Sequence, residues 1–463
     1  MPSFIKPRYL TVAIIIMTLF LATPVIYAQT GNLLKLEQAI ELALHNDTGV
    51  AVAGNDLAKA KLAVDLEKIN RLPSASTTGQ YNDYLKDSNN RQNYQVKIEQ
   101  TIPTGFHLYG ADVASDVETK RWEQQKSLET YRIKRAEAVN NTINLYFSAL
   151  KAQKAWEYQQ MAVEYAKANV TFQKQQLKLG KVTKTTQLTA ENDLAKANYE
   201  LTKSHQAYLL SLKKLAGQLG ITSYQSLVLD DTLLQQTLDI IDYEKQKQQA
   251  INERPEIKQF QLELKTAQQE LATAKNSGLP SLNLNYQDRS ELKSYDAQYD
   301  LLSGNLKWSA AWQKTNTGDS KLENFNEEDL FGSDRRKIGV ILKWTLDCGS
   351  AANRIKQAQY SVESARRNLE QSYQDIALQI DEAVSNYESA LAALNCSREG
   401  ISLYEKTLEL KQLQAKLGAA TALDVKKAQL DLINAQKEVA SANCDLYIAA
   451  AQLKLELGLL YDI

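Results

Sequence analysis

Residues 138–150 read AVNNTINLYFSAL, and the fold turns on this stretch. Val139, Ile143, Tyr146 and Leu150 fall at spacings of 4, 3 and 4. That alternation stacks them along one side of a helix as the heptad seam of a left-handed coiled coil. The stretch lies inside a run from Ala111 to Leu179 that holds neither glycine nor proline. As a single helix those 69 residues reach about 100 Å, at about 1.5 Å per residue. No globular core buries a helix of that length, so it must pack lengthwise on others. A second run, Ser350 to Leu417, is broken only by Gly400, and Tyr373, Ile376, Ile380, Ala383 and Tyr387 repeat the seam.

Working outward, the two runs belong to one plan written twice. Arg71-Leu72-Pro73-Ser74 recurs as Gly278-Leu279-Pro280-Ser281, each after a segment rich in Ala, Leu, Lys and Glu. Ala39-Ile40 with Asn46-Asp47 is echoed by Ala250-Ile251 with Arg254-Pro255. Leu177-Lys178-Leu179-Gly180 returns as Ala415-Lys416-Leu417-Gly418, and the helix-like residues beyond end at Leu219-Gly220 and Leu457-Gly458. Each half therefore predicts helix, strand, strand, very long helix, tip, helix. The halves span 29–220 and 243–463, joined by a connector over 221–242.

The strand signals lie between the helices. Tyr94, Val96, Ile98 and Ile102 alternate with polar neighbours, as do Leu282, Leu284 and Tyr286. Ile338, Val340, Leu342, Trp344 and Leu346 share one face, while a strand over Ala75–Tyr81 rests on its place in the repeat. One apolar and one polar face fits a barrel wall between lipid and water, and equally a half-buried soluble sheet. The count of strands decides. Four strands per chain cannot close a barrel, which needs about eight, and lipid does not tolerate open edges. Several chains must then share one barrel, two giving eight strands and three giving twelve.

The start of the chain sets the compartment. Lys6 and Arg8 precede the apolar run Leu10–Leu21, and Val25-Ile26-Tyr27-Ala28 ends on a small residue, which predicts a signal peptide over 1–28. Its removal takes away two positive charges and no acid, so a net charge of −1 becomes −3. That near-neutral balance carries no nucleic-acid footprint. With only 18 glycines and 7 prolines, the chain lacks the punctuation of short elements. Cys348, Cys396 and Cys444 are odd in number and far apart, and His45, His107 and His205 stand singly. No metal, cofactor or catalytic constellation is expected from them.

In this order, and twice over, the landmarks resemble the TolC family of outer-membrane efflux proteins. The resemblance rests on the Leu34–Val50 opening, both Leu-Pro-Ser motifs, both Leu-Gly tips and the passage Trp344-Thr345-Leu346-Asp347-Cys348-Gly349. It implies a mainly α chain with a β-barrel part: a homotrimer with a twelve-stranded shared barrel in outer-membrane lipid and a helical coiled-coil periplasmic tunnel. It also implies an exit duct, not an enzyme, serving a tripartite efflux pump or a type I secretion system. The partners would be a periplasmic membrane-fusion adaptor and an inner-membrane transporter. Rival readings are a periplasmic adaptor, which needs only one helical hairpin, and a secreted coiled-coil scaffold without a membrane part.

The family's adaptor contacts, carried over by motif, fall on Leu179, Gly180, Lys181, Val182 and Thr183, and on Leu417, Gly418, Ala419, Ala420 and Thr421. Asp424 matches an aspartate that narrows the tunnel entrance in the family, where three copies would form an acidic ring favouring cations. Lys427 stands where a further family aspartate is expected, and a pairing of Asp424 with Lys427 is the competing reading. The connection over 287–336 is far longer than a turn requires. It is expected to form an exposed loop over the channel mouth, although the row Leu306, Trp308, Ala310 and Trp312 would allow an extra strand inside it.

Overall fold

The computed structural model describes residues 33–82, 91–235, 241, 243–290, 292–315, 336–344 and 349–461. Residues 1–32, which include the expected signal peptide, and residues 83–90, 316–335 and 345–348 lie outside the described residues. In chain order, β1 (Leu33–Leu34), α1 (Leu36–Asn46) and α2 (Thr48–Ile69) lead to β2 (Ser74–Asn82) and β3 (Arg91–Pro103). The long α3 (Asp116–Lys178) and its return α4 (Lys184–Leu219) complete the first half. After β4 (Val228–Leu229), the second half runs α5 (Tyr243–Glu253), α6 (Pro255–Ser277), β5 (Ser281–Arg289), β6 (Lys293–Asp300), β7 (Asn305–Thr315) and β8 (Arg336–Lys343). It closes with α7 (Ser350–Lys416) and α8 (Ala422–Glu456).

The long helices follow from the seams. Ser115 caps α3 by accepting from the Glu118 amide, and Asp116 and Glu118 place negative charge on its first turn, where the helix dipole favours it. Val139, Tyr146 and Leu150 are buried along one side, with Phe147 beside them. Tyr146, Phe147 and Leu150 join Leu212, Leu215 and Leu219 of α4 and Cys444 of α8 in one apolar cluster, while Val139 packs with Ala136, Leu460 and Tyr461 in another. On α7, Ile376, Ile380, Ala383 and Tyr387 pack with Ile257 of α6 and Leu446 and Leu453 of α8. Both seams are therefore core.

These contacts lay the helices side by side in a row four wide. Towards the tips the order is α4, α3, α8, α7, and towards the sheet it is α2, α3, α6, α7. A waist joins the two levels. There β1 pairs with β4 in parallel, and the buried Tyr146 hydroxyl lies 2.8 Å from the Leu34 carbonyl and accepts from the Asp230 amide at 3.1 Å. Burial pushes the Tyr146 phenol well above its ordinary range, so it stays neutral. At the same level the Asn46 side chain donates to the Leu219 carbonyl at 2.8 Å. Gly220 turns there at φ +70°, and any Cβ on it would stand about 3.0 Å from Asn46; only glycine closes this turn without strain.

The internal repeat is visible at the start of the sheet. Ser74 and Ser281, the serines of the two Leu-Pro-Ser motifs, open β2 and β5. Their hydroxyls donate to the Glu99 and Lys343 carbonyls at 3.3 and 3.4 Å. Each thus ties the beginning of an outgoing strand to the end of a returning one.

The sheet departs from expectation. It has six strands where four were expected, in the order β2-β3-β7-β6-β5-β8 with every neighbouring pair antiparallel. The connection over 287–336, expected as a surface loop, supplies β6 and β7 as a hairpin inserted between β3 and β5. The Leu306–Trp312 row is β7, as its alternation allowed. β6 was not expected, although Tyr295, Ala297 and Tyr299 alternate with Ser294, Asp296, Gln298 and Asp300.

Candidate functional site: helix tips and sheet faces

Two tips end the helical row. α3 stops at Leu179, and Gly180 takes φ +66° so that the Lys181 amide can reach the Gln176 carbonyl at 2.9 Å. α7 stops at Leu417, Gly418 takes φ +75°, and the Ala419 amide reaches Gln414 at 2.8 Å. This six-to-one closure satisfies helix-end carbonyls and needs a left-handed residue, hence glycine. Thr183 then caps α4 by accepting from the Thr186 amide at 3.2 Å, and Thr421 caps α8 by accepting from Asp424 at 3.2 Å. The ten tip residues proposed from sequence thus form two matching turns. Val182 and Ala420 are half-covered and the others exposed. Leu179 and Leu417 are 65 % and 75 % exposed.

Asp424 lies on the first turn of α8. Its Oδ2 accepts from the Thr421 amide at 2.8 Å and from the Thr421 hydroxyl at 2.7 Å, forming a reciprocal capping box. Those bonds, with Lys411 adding its charge, hold the carboxyl below the usual aspartate range, so it is ionised at neutral pH. Lys427 does not pair with it. That ammonium meets Asp431 one turn further on, at 3.3 Å.

The other end of the molecule carries the sheet, whose two faces differ in kind. Register aligns Val96, Trp312 and Lys293 across three strands, and likewise Ile98, Ala310 and Tyr295. It also aligns Tyr286 with Ile338 and Leu284 with Val340. Across β3, β7, β6, β5 and β8 one face is therefore largely apolar and aromatic, with Gln100, Lys293 and Asp288 among its polar interruptions. The opposite face carries Ser76, Lys97, Ala311 and Ser294 in one cross-strand row, and Gln287 with Lys337 in another. Ile338, Val340 and Leu342 are 86 %, 64 % and 66 % exposed, which water would penalise and hydrocarbon would not. β2 and β8 each have one sheet neighbour among the described residues, so both edges stand open.

The family model for outer membrane efflux proteins matches residues 39–220 and 247–459, both halves of the repeat. The chain belongs to that family. As an outer membrane efflux protein it is similar to the outer membrane protein TolC of Salmonella enteritidis, 22 % identical over 345 residues, covering 72 % of this chain and 63 % of that protein. TolC of Escherichia coli K12 is likewise 22 % identical, over 72 % of this chain and 64 % of its own. The match thus spans a little under two thirds of these curated relatives. In fold, the efflux protein is similar to the CmeC outer membrane channel of Campylobacter jejuni, with a TM-score of 0.65 at 15 % identity, over 91 % of this chain and 85 % of that one. The chain thus has the family of outer membrane efflux proteins and the fold of the CmeC channel.

Sequence reasoning found the tips but missed a buried charge cluster at the level of the waist. Arg254 precedes α6 and meets Glu256 at 3.0 Å and Glu456 of α8 at 2.7 Å, while the Tyr461 hydroxyl donates to Glu256 at 2.9 Å. Burial pushes the guanidinium pKa down, but the hydrogen bond to Glu256 and the charges of Glu256 and Glu456 outweigh it and hold Arg254 charged. The sequence signal was the Arg254-Pro255 pair at the repeat position of Asn46-Asp47. Nothing local marked Glu456 as its partner. Cys396 is exposed and Cys444 buried, neither bridged, and burial pushes the Cys444 thiol up to about 12.

Proposed function

We propose that the chain is the exit duct of a tripartite efflux pump or type I secretion system. Three copies share one barrel in the outer membrane and continue it as a helical tube into the periplasm. A single observation carries this reading: the sheet has one predominantly apolar and aromatic face and two open edges. A secreted scaffold would leave Ile338, Val340 and Leu342 in water and both edges unpaired, a standing invitation to aggregate. A ring of copies in lipid answers both problems together.

The helices support the same ring. The row ends at α4 and α2 on one side and at α7 on the other, and these outer helices carry the uncovered apolar residues. Tyr199 and Leu210 lie on α4, Leu62 and Leu66 on α2, and Tyr360, Leu378 and Leu403 on α7. Packing α7 of one copy against α4 and α2 of the next covers them and gives a tube of twelve helices. The paired tips then form a rim that presents Leu179 and Leu417 to a periplasmic adaptor, coupled to an inner-membrane transporter that supplies the energy. Three copies of Asp424 near that rim would form an acidic ring.

The deciding experiment extracts the protein from outer membranes and measures its mass with the detergent contribution subtracted. A mass near three chains is expected. A detergent-independent monomer or dimer in the periplasm would refute the duct.

A further inference from the structure

We infer that the shared barrel has eighteen strands, six from each copy, with β2 of one copy pairing with β8 of the next. The inference rests on the duct reading and adds to it the width of the outer pore.

The hairpin β6–β7 is a full part of the wall. β7 pairs with β3 residue by residue from Asn93–Thr315 to Pro103–Asn305, and β6 pairs with both β7 and β5. Its apolar row, Tyr295, Ala297 and Tyr299 with Leu306, Trp308 and Trp312, extends the apolar face of β3 and β5, with Gln100, Lys293 and Asp288 among the polar interruptions across these four strands. Its base is tied to the start of the helical tube, where the Gly304 carbonyl accepts from the Thr104 amide at 2.9 Å and the Leu108 amide donates to Leu301 at 2.9 Å. Moving the hairpin out of the wall would break its ladders with β3 and β5.

Closure with the hairpin inside meets two geometric conditions. Outgoing and returning strands alternate through β2, β3, β7, β6, β5 and β8, so a returning β8 meets the next copy's outgoing β2. Every junction in the ring is then antiparallel and the strand number is even, as in membrane barrels built from single chains. The second condition is width. Four helices side by side, about 9 Å apart, cover an arc of about 36 Å. Six strands about 4.8 Å apart and tilted by about 40° cover about 38 Å, whereas four cover only about 25 Å. At that tilt, six strands match the arc of the helical row that each copy contributes.

An eighteen-stranded ring measures about 36 Å between backbones, against about 24 Å for twelve strands at the same tilt. Barrels of 16 to 18 strands hold an open aqueous channel. The outer pore of this duct is then too wide to sort cargo by size, and selection falls to the tips.

The test is a cryo-electron microscopy map of the full-length protein in lipid nanodiscs, with strands counted at mid-membrane. Eighteen strands are expected. In parallel, Gln95→Cys with Gln313→Cys, which face each other across β3 and β7, should form an intrachain disulfide in isolated outer membranes, identified as a linked peptide by mass spectrometry. A trimer with twelve strands and no 95–313 link overturns the inference and leaves the duct intact. A soluble monomer overturns both.

Discussion

Arg254 and Glu456 stand 202 positions apart in the chain and meet at 2.7 Å, Nη1 donating to Oε2, with both side chains almost fully buried. The pair pins the start of α6 to the end of α8 and so holds the sheet-side helices on the tip-side ones. Removing one partner of a buried pair leaves the other charge uncompensated, at a cost of about 3–5 kcal/mol. Glu256 remains as a second partner here. Glu456→Ala should therefore cost about 3 kcal/mol, the low end of that range. Thermal unfolding of the purified trimer measures it, and an unchanged midpoint would show the pair to be dispensable.

Ile380 and Leu378 sit two residues apart on α7 and should behave differently. Ile380 is fully buried in the seam, so Ile380→Ala should lose roughly 2–5 kcal/mol of stability. Leu378 is 58 % exposed on an outer helix of the row. Leu378→Ala should leave the fold of a single copy within about 0.5 kcal/mol but weaken the trimer. Native mass spectrometry across a detergent series separates the two effects.

Asp424 has a folded pKa below its ordinary value, and this fixes the sign of its pH dependence. The stabilisation from its cap is fully present above the unfolded aspartate value, about 3.9. It is lost as pH falls through the lower folded value. The second tip should therefore hold its cap through neutral and mildly acidic pH and loosen only below about 4. Hydrogen exchange of the residue 422–426 amides reads this. In planar bilayers, Asp424→Asn should reduce cation preference, and identical reversal potentials in the two proteins would dismiss the acidic ring.

The tip leucines should matter for docking and not for folding. Leu179→Asp and Leu417→Asp change exposed positions, so the trimer mass and unfolding temperature should hold. Losing an apolar anchor of about 2 kcal/mol weakens adaptor binding roughly 30-fold. A pull-down titration with the purified adaptor tests this, and unchanged affinity in both variants would move the contact elsewhere.

Much of this was legible in sequence because its signals are local. The 4, 3, 4 spacing of Val139, Ile143, Tyr146 and Leu150 reports one face of one helix, and it is enough to predict a buried seam. Absence of glycine and proline sets helix length, and Gly180 and Gly418 mark where the chain must turn. The repeat of Leu-Pro-Ser preserved the order of elements even where individual strands, such as β2, were faint.

Three features were not legible, each for the same reason. β6 alternates over only eight residues with just two aromatics and an alanine on its apolar side, and it is fixed as a wall strand by pairing with β5 and β7 on either side. Asp424 could bond backward to Thr421 or forward to Lys427, and the choice depended on how the tip turn closes and on Asp431 drawing the lysine away. Arg254 found Glu456 only because α6 and α8 are packed together by apolar residues far from both. Sequence alone determined the helices, the tips and the twofold plan, since these depend on neighbours within a few turns. The tertiary structure decided the number of strands, the open edges and the buried charge pair, because each requires two distant segments to be brought within hydrogen-bonding distance.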